Sequence, residues 1–512
     1  MTSNWTHRRR ILRWGRTLAR HGVLRPFEVS PLSPPQVKRI ARLARLGSGA
    51  PMEPRYREAL TEMGPAAIKL GQALATRPDL VGEAAARELS QLQDRLPPFP
   101  FAEVCRAIEE AFGKPSNTMF ASIEETPIGS ASIAQVHRAV TTDGRTVALK
   151  VLRPHIEEDF ERAIETYEWL AVRVERMGGE FARLRPRAII AYFRKWTARE
   201  LNLRMEAASA SELAGDMAAE PDFLVPEVDW QRTARRVLTT SWVDGIKLTD
   251  IPAVEAAGFD RKDLAGTLVR GFLRQAVING FFHADLHQGN LFALPGGKIA
   301  AIDFGIMGRI DKRARLWLAE ILSGLITGEY ARVAEIHFEA GYVPPHHNIR
   351  EFTTALRSVG EPIRGLPVKD ISIANMLDAL FTITRQFDMV TQPHLLLLQK
   401  SMVMVEGVAF ALDPDVNMTE IAGPLIGEWG RDELGPEARI ADRLIEDFRT
   451  LAELPAFMRR VMTLVPDPGA APPPPPMAPL EEERALRPPS RAAWMLLGTA
   501  LGAALALGVA AV

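Results

Sequence analysis

The segment FFHADLHQGN, residues 281–290, gathers two histidines, an aspartate and an asparagine immediately after an apolar run. An Asp followed five positions later by an Asn on one loop can set a carboxylate beside a substrate hydroxyl while the amide oxygen ligates a divalent cation. Here those residues are Asp285 and Asn290. Asp303, in AIDFG, adds a second and stronger oxygen donor. Mg2+ keeps several waters, so one Asp, one Asn and phosphate oxygens suffice to hold it. Between the two acids, NLFAL and KIAAIDF read as strands turned by PGG, which leaves room for a hairpin. His283 and His287 share the i,i+4 spacing of two zinc ligands, but no third ligand is evident, and a histidine that braces the loop fits better.

Phosphates need positive charge and close backbone approach. Lys150 lies in TVALKVLR, an apolar, β-branched strand pattern, and an ammonium there must meet an anion. The small residues Gly129, Ser130, Ala131 and Ser132 precede its hairpin partner and let backbone N–H groups approach phosphate oxygens. The helical stretch ARELNLRMEAASAS carries Glu200, Asn202 and Glu206, the last two on one face, and a carboxylate there could hold Lys150 in place. In IKLGQ, Lys69 and Gln72 share a helix face, and Gly71, costly in a helix, suggests another backbone close by.

The elements that must position these groups follow from periodicity. Residues 33–125 carry helical apolar spacing punctuated by Pro and Gly. Two β-rich runs then flank TTDGR, a hairpin signal. Helical patterns occupy 156–218, a further strand pair ends at RVLTTSWVDGIKLTD, and helices dominate from about 260 to 465. The implied architecture is α+β, a small mixed lobe joined to a larger helical one. The expected segments are 1–32, 33–125, 126–245, 246–465, a Pro-rich linker at 466–490 and an apolar span at 491–512.

Composition bounds the partners. A net charge of -1 over 512 residues predicts no nucleic acid, and a single cysteine, Cys105, excludes a disulfide framework. Cys105 sits in an amphipathic helical pattern and reads as a packed thiol. The first 27 residues hold seven arginines and no acid, interleaved with Ile11, Leu12, Trp14, Leu18 and Leu24. A basic helix on an anionic membrane and a solvated helix packed on the protein both fit; a transit peptide has similar composition. Residues 492–512 lack any charge, about 30 Å as a helix, and the preceding APPPPPMAP is a stiff spacer. This predicts a C-terminal transmembrane helix with the globular part in the cytoplasm. Gly498 and Gly502 would allow helix pairing and so a homodimer.

Taken together, IKLGQALATRPDL, LQDRLPPFP, SASIAQVHRA, VALKVLRP, LNLRMEA, HADLHQGN and IDFG resemble the UbiB (AarF/ADCK) family of atypical, protein-kinase-like proteins, over roughly residues 55 to 310. The resemblance implies a two-lobed kinase-like fold with a helical N-terminal extension and a mostly helical C-lobe. It also implies ATP and Mg2+ as ligands and a membrane-associated kinase or ATPase supporting ubiquinone biosynthesis, on a bacterial inner membrane. Membrane lipids, polyprenyl-quinone precursors or ubiquinone-biosynthesis proteins would be its partners. By the same resemblance Lys150 contacts the α/β-phosphates and pairs with Glu206, Asp285 is the catalytic-loop acid, and Asn290 and Asp303 hold magnesium. Lys69, Gly71 and Gln72 belong to an extension covering the active site, met by Glu200 and position 202.

This sequence departs from the family pattern in four places. E-x-D is Glu200-Leu201-Asn202, which puts any charge-based role at position 202 in doubt. The alanine-rich loop reads GSAS, HADPHPGN reads HADLHQGN without either proline, and one C-terminal apolar span stands where many bacterial relatives have two. No APE follows DFGIMGRI and no Arg precedes Asp285, which argues against protein phosphorylation in trans. A small-molecule phosphotransferase of the aminoglycoside or choline kinase type shares the H-x-D-x-H-x-x-N loop, but a KLGQ lid would hinder its substrate. A nucleotide-binding pseudokinase scaffold is the third reading, against which stand the intact Lys150, Glu206, Asp285, Asn290 and Asp303. The hydroxylase label attached to some relatives finds no dinucleotide fingerprint and no iron triad here.

Overall fold

The computed structural model describes residues 4–25, 28, 35–45, 49, 51, 53–75, 89, 96–176, 186–361, 383, 386–387, 389, 393–416, 421 and 425. The Pro-rich linker at 466–490 and the apolar span at 491–512 lie outside the described residues. Among the described residues no helix is long and apolar enough to cross a membrane. The chain divides into two compact units, the first containing Met1–Arg204 and Trp230–Thr239, the second Met205–Asp229 and Thr240–Val465.

In the first unit the helices include α1 (Asn4–Arg20), α2 (Pro35–Arg45), α3 (Tyr56–Met63), α4 (Pro65–Ala75), α5 (Phe101–Phe112), α6 (Ile156–Arg176) and α7 (Pro186–Glu200), with a single turn at Ser116–Met119. The strands are β1 (Phe120–Ile123), β2 (Gly129–Ser130), β3 (Ala134–Thr141), β4 (Thr146–Leu152) and, later in the chain, β6 (Val237–Ser241). They form one sheet in the order β1-β3-β4-β6, with β2 also on β3. The β3–β4 hairpin turns where TTDGR predicted it: Gly144 has φ +86°, and the Thr141 and Arg145 backbones close the turn. Alternation along β4 sends Val147, Leu149 and Val151 into a core with Val104 and Ile108 of α5 and Phe120 of β1. Lys150 is therefore on the other face.

One reading of this unit needs correction, and of the two readings open for the N-terminal helix the packed one holds. The stretch 33–125 is not helical throughout, since β1 pairs with β3 (Phe120 opposite Thr141). The run FASI is too short for periodicity to separate strand from helix. The basic N-terminal helix does not offer its apolar stripe to a bilayer. Ile11, Trp14 and Leu18 of α1 are buried, Trp14 stacks on Tyr167 of α6 at 5.1 Å, and Trp169 donates to Asn4. Arg9, Arg13, Arg16 and Arg20 line the exposed side.

The second unit contains α8 (Leu203–Asp216), which begins at the unit boundary, then β5 (Phe223–Leu224), β7 (Ile246–Lys247), α9 (Ile251–Ala256) and α10 (Arg261–Leu273). A π-helical turn at Arg274–Asn279 leads into β8 (Phe281–His283), a 3-10 turn at Gln288–Asn290, β9 (Leu291–Leu294), β10 (Lys298–Ala301) and β11 (Met307–Arg309). The helices α11 (Lys312–Thr327), α12 (Tyr330–Glu339), α13 (Ile349–Gly360) and α14 (Pro393–Leu412) follow. One sheet runs β5-β10-β9-β7, and β8 pairs with β11 in another. The strand pair expected to end at Lys247 is split: β6 joins the first unit's sheet, while β7 pairs with β9. Both strands are short, and their true partners are distant in sequence. Asp260 and Asn348 accept backbone N–H bonds at the starts of α10 and α13, as good N-caps do.

Candidate functional site

The β8–β11 region builds an acidic candidate site. Gly280, at φ +70°, ends the π-helical turn, and a Cβ there would lie 2.3 Å from the Ile310 carbonyl oxygen, so only glycine fits. The π-helical turn also brings Gln275, fully buried, to accept the His283 backbone N–H at 3.0 Å. Such turns recur at functional sites because the extra residue per turn re-aims side chains.

His283 then joins the two acid-bearing loops. Its Nδ1 accepts the Asp285 N–H at 3.1 Å, and its Nε2–H donates to the Ile302 carbonyl at 3.1 Å. These two bonds demand the neutral Nε2–H tautomer. Burial pushes the imidazole below the usual histidine pKa, which keeps it neutral, against a smaller opposing effect of the Ile302 carbonyl. His283 is a brace and not a metal ligand: both nitrogens are spent on backbone.

Asn290 closes the arrangement. Its Nδ2 donates to the Asp285 carbonyl at 3.1 Å, and its own carbonyl accepts the Ile302 N–H at 2.9 Å. With Nδ2 committed, Oδ1 is the free end, a hard oxygen of the kind Mg2+ takes. Asp303 is exposed and adopts φ +64°, a left-handed conformation that Asp tolerates better than most side chains. The β9–β10 hairpin holds this spacing, with Leu294 opposite Lys298 and both turn glycines at positive φ. One amide oxygen and one solvent-facing carboxylate fit a magnesium site completed by waters and phosphate. Among the described residues no cluster of three or more His, Cys, Asp or Glu side chains could hold a metal on its own.

Asp285 is half-buried and flanked by positive or hydrogen-bonding groups. Lys400 Nζ of α14 lies 3.5 Å from its Oδ1, and His287 Nε2 lies 3.7 Å from its Oδ2. His287 Nδ1 accepts the Gly289 N–H at 3.0 Å, which turns Nε2 toward the carboxylate. Lys400 was not foreseen, because a residue 115 positions downstream on a helix gives no local sign of facing this loop.

The first unit holds the other candidate groups. Gly129 of β2 and Lys150 of β4 both pair with Val136 of β3, so the three form one row on one sheet face. Two strand spacings, about 10 Å, separate Gly129 from Lys150. A Cβ built on Gly129 meets nothing within 4 Å, so the space above the loop is open. Arg153 fixes the loop from behind: its guanidinium donates to the Ala131 carbonyl at 2.8 Å and to Ser130 Oγ at 2.9 Å. Arg153 also escaped the sequence reading, though its place three residues after Lys150 was the available signal. Ser132 is fully buried beside it.

Lys69 of α4 donates to Glu200 Oε1 at the end of α7, and both side chains are largely buried. The Lys69 ammonium also lies 5.8 Å from the Trp196 ring centre. Gly71 is buried and Gln72 half-buried on the same helix. Asn202 Oδ1 is buried and, among the described residues, without a hydrogen-bond partner. Glu206 is buried in the first turn of α8.

The chain is similar to known proteins over most of its length. Residues 91–337 match the ABC1 atypical kinase-like domain, and residues 356–417 match the UbiB helical domain. The chain is 39% identical over 390 residues to the probable protein kinase UbiB of Marinobacter nauticus, covering 75% of this chain and 71% of that one. The chain belongs to the UbiB family. Another UbiB, from Xanthomonas axonopodis pv. citri, is 38% identical over 476 residues, 90% of this chain and 83% of that one. A solved structure titled as the complex of Rv3197 with erythromycin from Mycobacterium tuberculosis overlaps at a TM-score of 0.46 and 27% identity, over 69% of this chain and 90% of that one. The kinase-like match starts at residue 91 and so takes in β1. Lys400 falls inside the UbiB helical match.

Proposed function

We propose that this protein is a membrane-tethered atypical kinase or ATPase that binds Mg·ATP and supports ubiquinone biosynthesis, acting on a lipid precursor or on the biosynthetic assembly. UbiB membership carries the coarse reading; the bracing of Asp285, Asn290 and Asp303 around one neutral imidazole carries the chemical one. Three oxygen-bearing side chains whose backbones are locked together suit a metal–phosphate site. Bound Mg2+ would neutralise phosphate charge. Asn290 and Asp303 would hold it, and by family membership Lys150, fixed by Glu206, and the Gly129–Ser132 loop would take the phosphates. Asp285 accepts the proton of the attacking hydroxyl or water. Position 202 supplies an amide and no charge, and Lys69–Glu200 is an ion pair between α4 and α7. The 491–512 span is the anchor, with the remainder on the cytoplasmic side.

The test is equilibrium binding of a fluorescent ATP analogue, with and without Mg2+, to wild-type protein and Asp303→Asn. Asn also tolerates the left-handed backbone, so the substitution removes charge without adding strain. Magnesium-dependent binding in the wild type, lost or weakened about 10-fold or more in the variant, is expected. No nucleotide binding by wild-type protein refutes the reading.

A further inference from the structure

We propose that Lys400 is a terminal-phosphate-binding residue of this site, supplied by the UbiB helical segment, and that its contact with Asp285 marks where that phosphate is received. This rests on the Mg·ATP reading above. From Phe281 to Gly308 the chain carries one lysine or arginine, Lys298, and its ammonium faces Asp222 at 3.8 Å. The acid-bearing loops therefore bring no cation of their own to the phosphoryl group they would handle. Lys400 Nζ stands 3.5 Å from Asp285 Oδ1, beside the carboxylate that would meet the attacking hydroxyl.

Its position is fixed by packing. Ser401, Val405, Val408, Ala409 and Leu412 are buried at helical spacing along α14, and Arg261 of α10 donates to the Ala411 carbonyl at 2.8 Å. The Lys400 and Asp285 side chains retain 39% and 26% of their exposure, so their pairing is too solvated to hold the fold. A structural ion pair gains little here. An ammonium held at ion-pair distance from the carboxylate, and still open to solvent, can instead transfer its charge to an arriving phosphate. The assignment also gives the helical segment a chemical reason to accompany the kinase-like one.

The experiment compares full-length wild type, Lys400→Met and Lys400→Arg for Mg·ATP affinity, Mg·ADP affinity and single-turnover ATP hydrolysis. Loss of a contact to the terminal phosphate weakens ATP about 10-fold, leaves ADP within about 2-fold and slows hydrolysis about 100-fold. Arg, which also binds phosphate, restores most of the ATP affinity. An unchanged melting temperature shows that Lys400→Met is folded. Equal changes in ATP and ADP affinity, or no change in either, overturn the assignment. Faster hydrolysis also overturns it, because Lys400 would then be restraining Asp285. If wild-type protein binds ADP but the ATP preference survives in Lys400→Met, only the Lys400 role fails; if it binds neither nucleotide, the functional reading fails first and Lys400 with it.

Discussion

Replacing Lys69 by Met should destabilise the first unit more than replacing Glu200 by Gln, and the double replacement Lys69→Met/Glu200→Met should recover most of the loss. The two side chains keep 8% and 12% of their exposure. Removing one partner of such a pair strands a charge in a low-dielectric setting, at a cost of about 3–5 kcal/mol. Residual exposure favours the lower end, about 3 kcal/mol for Lys69→Met, which leaves the Glu200 carboxylate without its ammonium. Glu200→Gln is milder for two reasons: Gln still offers a carbonyl acceptor, and the ammonium keeps the Trp196 ring 5.8 Å away. With both charges gone, Met at each position fills similar volume and only a solvation-neutral contact remains. For a unit of this size 3 kcal/mol corresponds to about 6–12 °C in melting temperature. Differential scanning calorimetry of the four proteins in a double-mutant cycle measures it, with hydrogen exchange across α4 and α7 reporting where the loss falls. A single Lys69→Met that melts within 1 °C of wild type, or a double variant worse than the sum of the singles, refutes the reasoning.

Two further outcomes follow from the second unit and the buried histidines. Gly280 and Gly341 have nearly the same backbone, φ +70° and +69°, but a Cβ on Gly280 would meet the Ile310 oxygen at 2.3 Å while Gly341 has nothing within 4 Å. Gly341→Ala should therefore cost about 1–2 kcal/mol from the left-handed conformation alone, and Gly280→Ala about 1–3 kcal/mol more; urea titration resolves them, and equal costs contradict the close-approach account. His137, His283 and His337 are all depressed by burial below the usual histidine pKa. Unfolding lets each take up a proton that the folded state refuses, so their contribution is complete above about pH 6.5 and declines as pH falls toward the lowered values. Melting temperatures from pH 7.5 down to 5.0 should fall below pH 6.5, and His137→Gln should flatten the slope by up to about 1.4 kcal/mol per pH unit; a slope unaffected by that substitution would count against it.

Local chemistry made part of this molecule legible. The TTDGR and PGG turns were readable because positive-φ glycines leave few alternatives, and the hairpins they close place Lys150 and set the spacing of Asp303. The polar crowding at 281–290 was readable because a core turn has no use for it. What escaped depends on contacts across long stretches of chain. Arg153 and Lys400 look like ordinary surface cations until the Ser130–Ala131 loop and Asp285 are placed against them. The α1 pattern revealed an apolar stripe but not its cover, since a bilayer and the face of α6 that presents Tyr167 both ask for the same apolar spacing along the helix. The separation of β6 from β7 into different sheets left no trace in strands of five and two residues.

The use of histidine at position 283 has a specific physical reason. The loop needs one rigid group that accepts a hydrogen bond from Asp285 N–H and donates one to the Ile302 carbonyl, 19 residues away in sequence. An amide side chain offers both functions, but on a more flexible stem and with its acceptor and donor close together on one carbon. An imidazole carries them on opposite sides of a planar ring, which suits two peptide groups that approach from different directions. The ring packs edge-on to Phe304 at 5.4 Å, so the apolar member of the DFG sequence fixes the brace as the Asp uses it. A protonated ring could not accept the Asp285 N–H, so burial is part of the device: by disfavouring the charged form it preserves the acceptor. His283 therefore governs where Asp285 stands, through the bond it accepts from the Asp285 N–H.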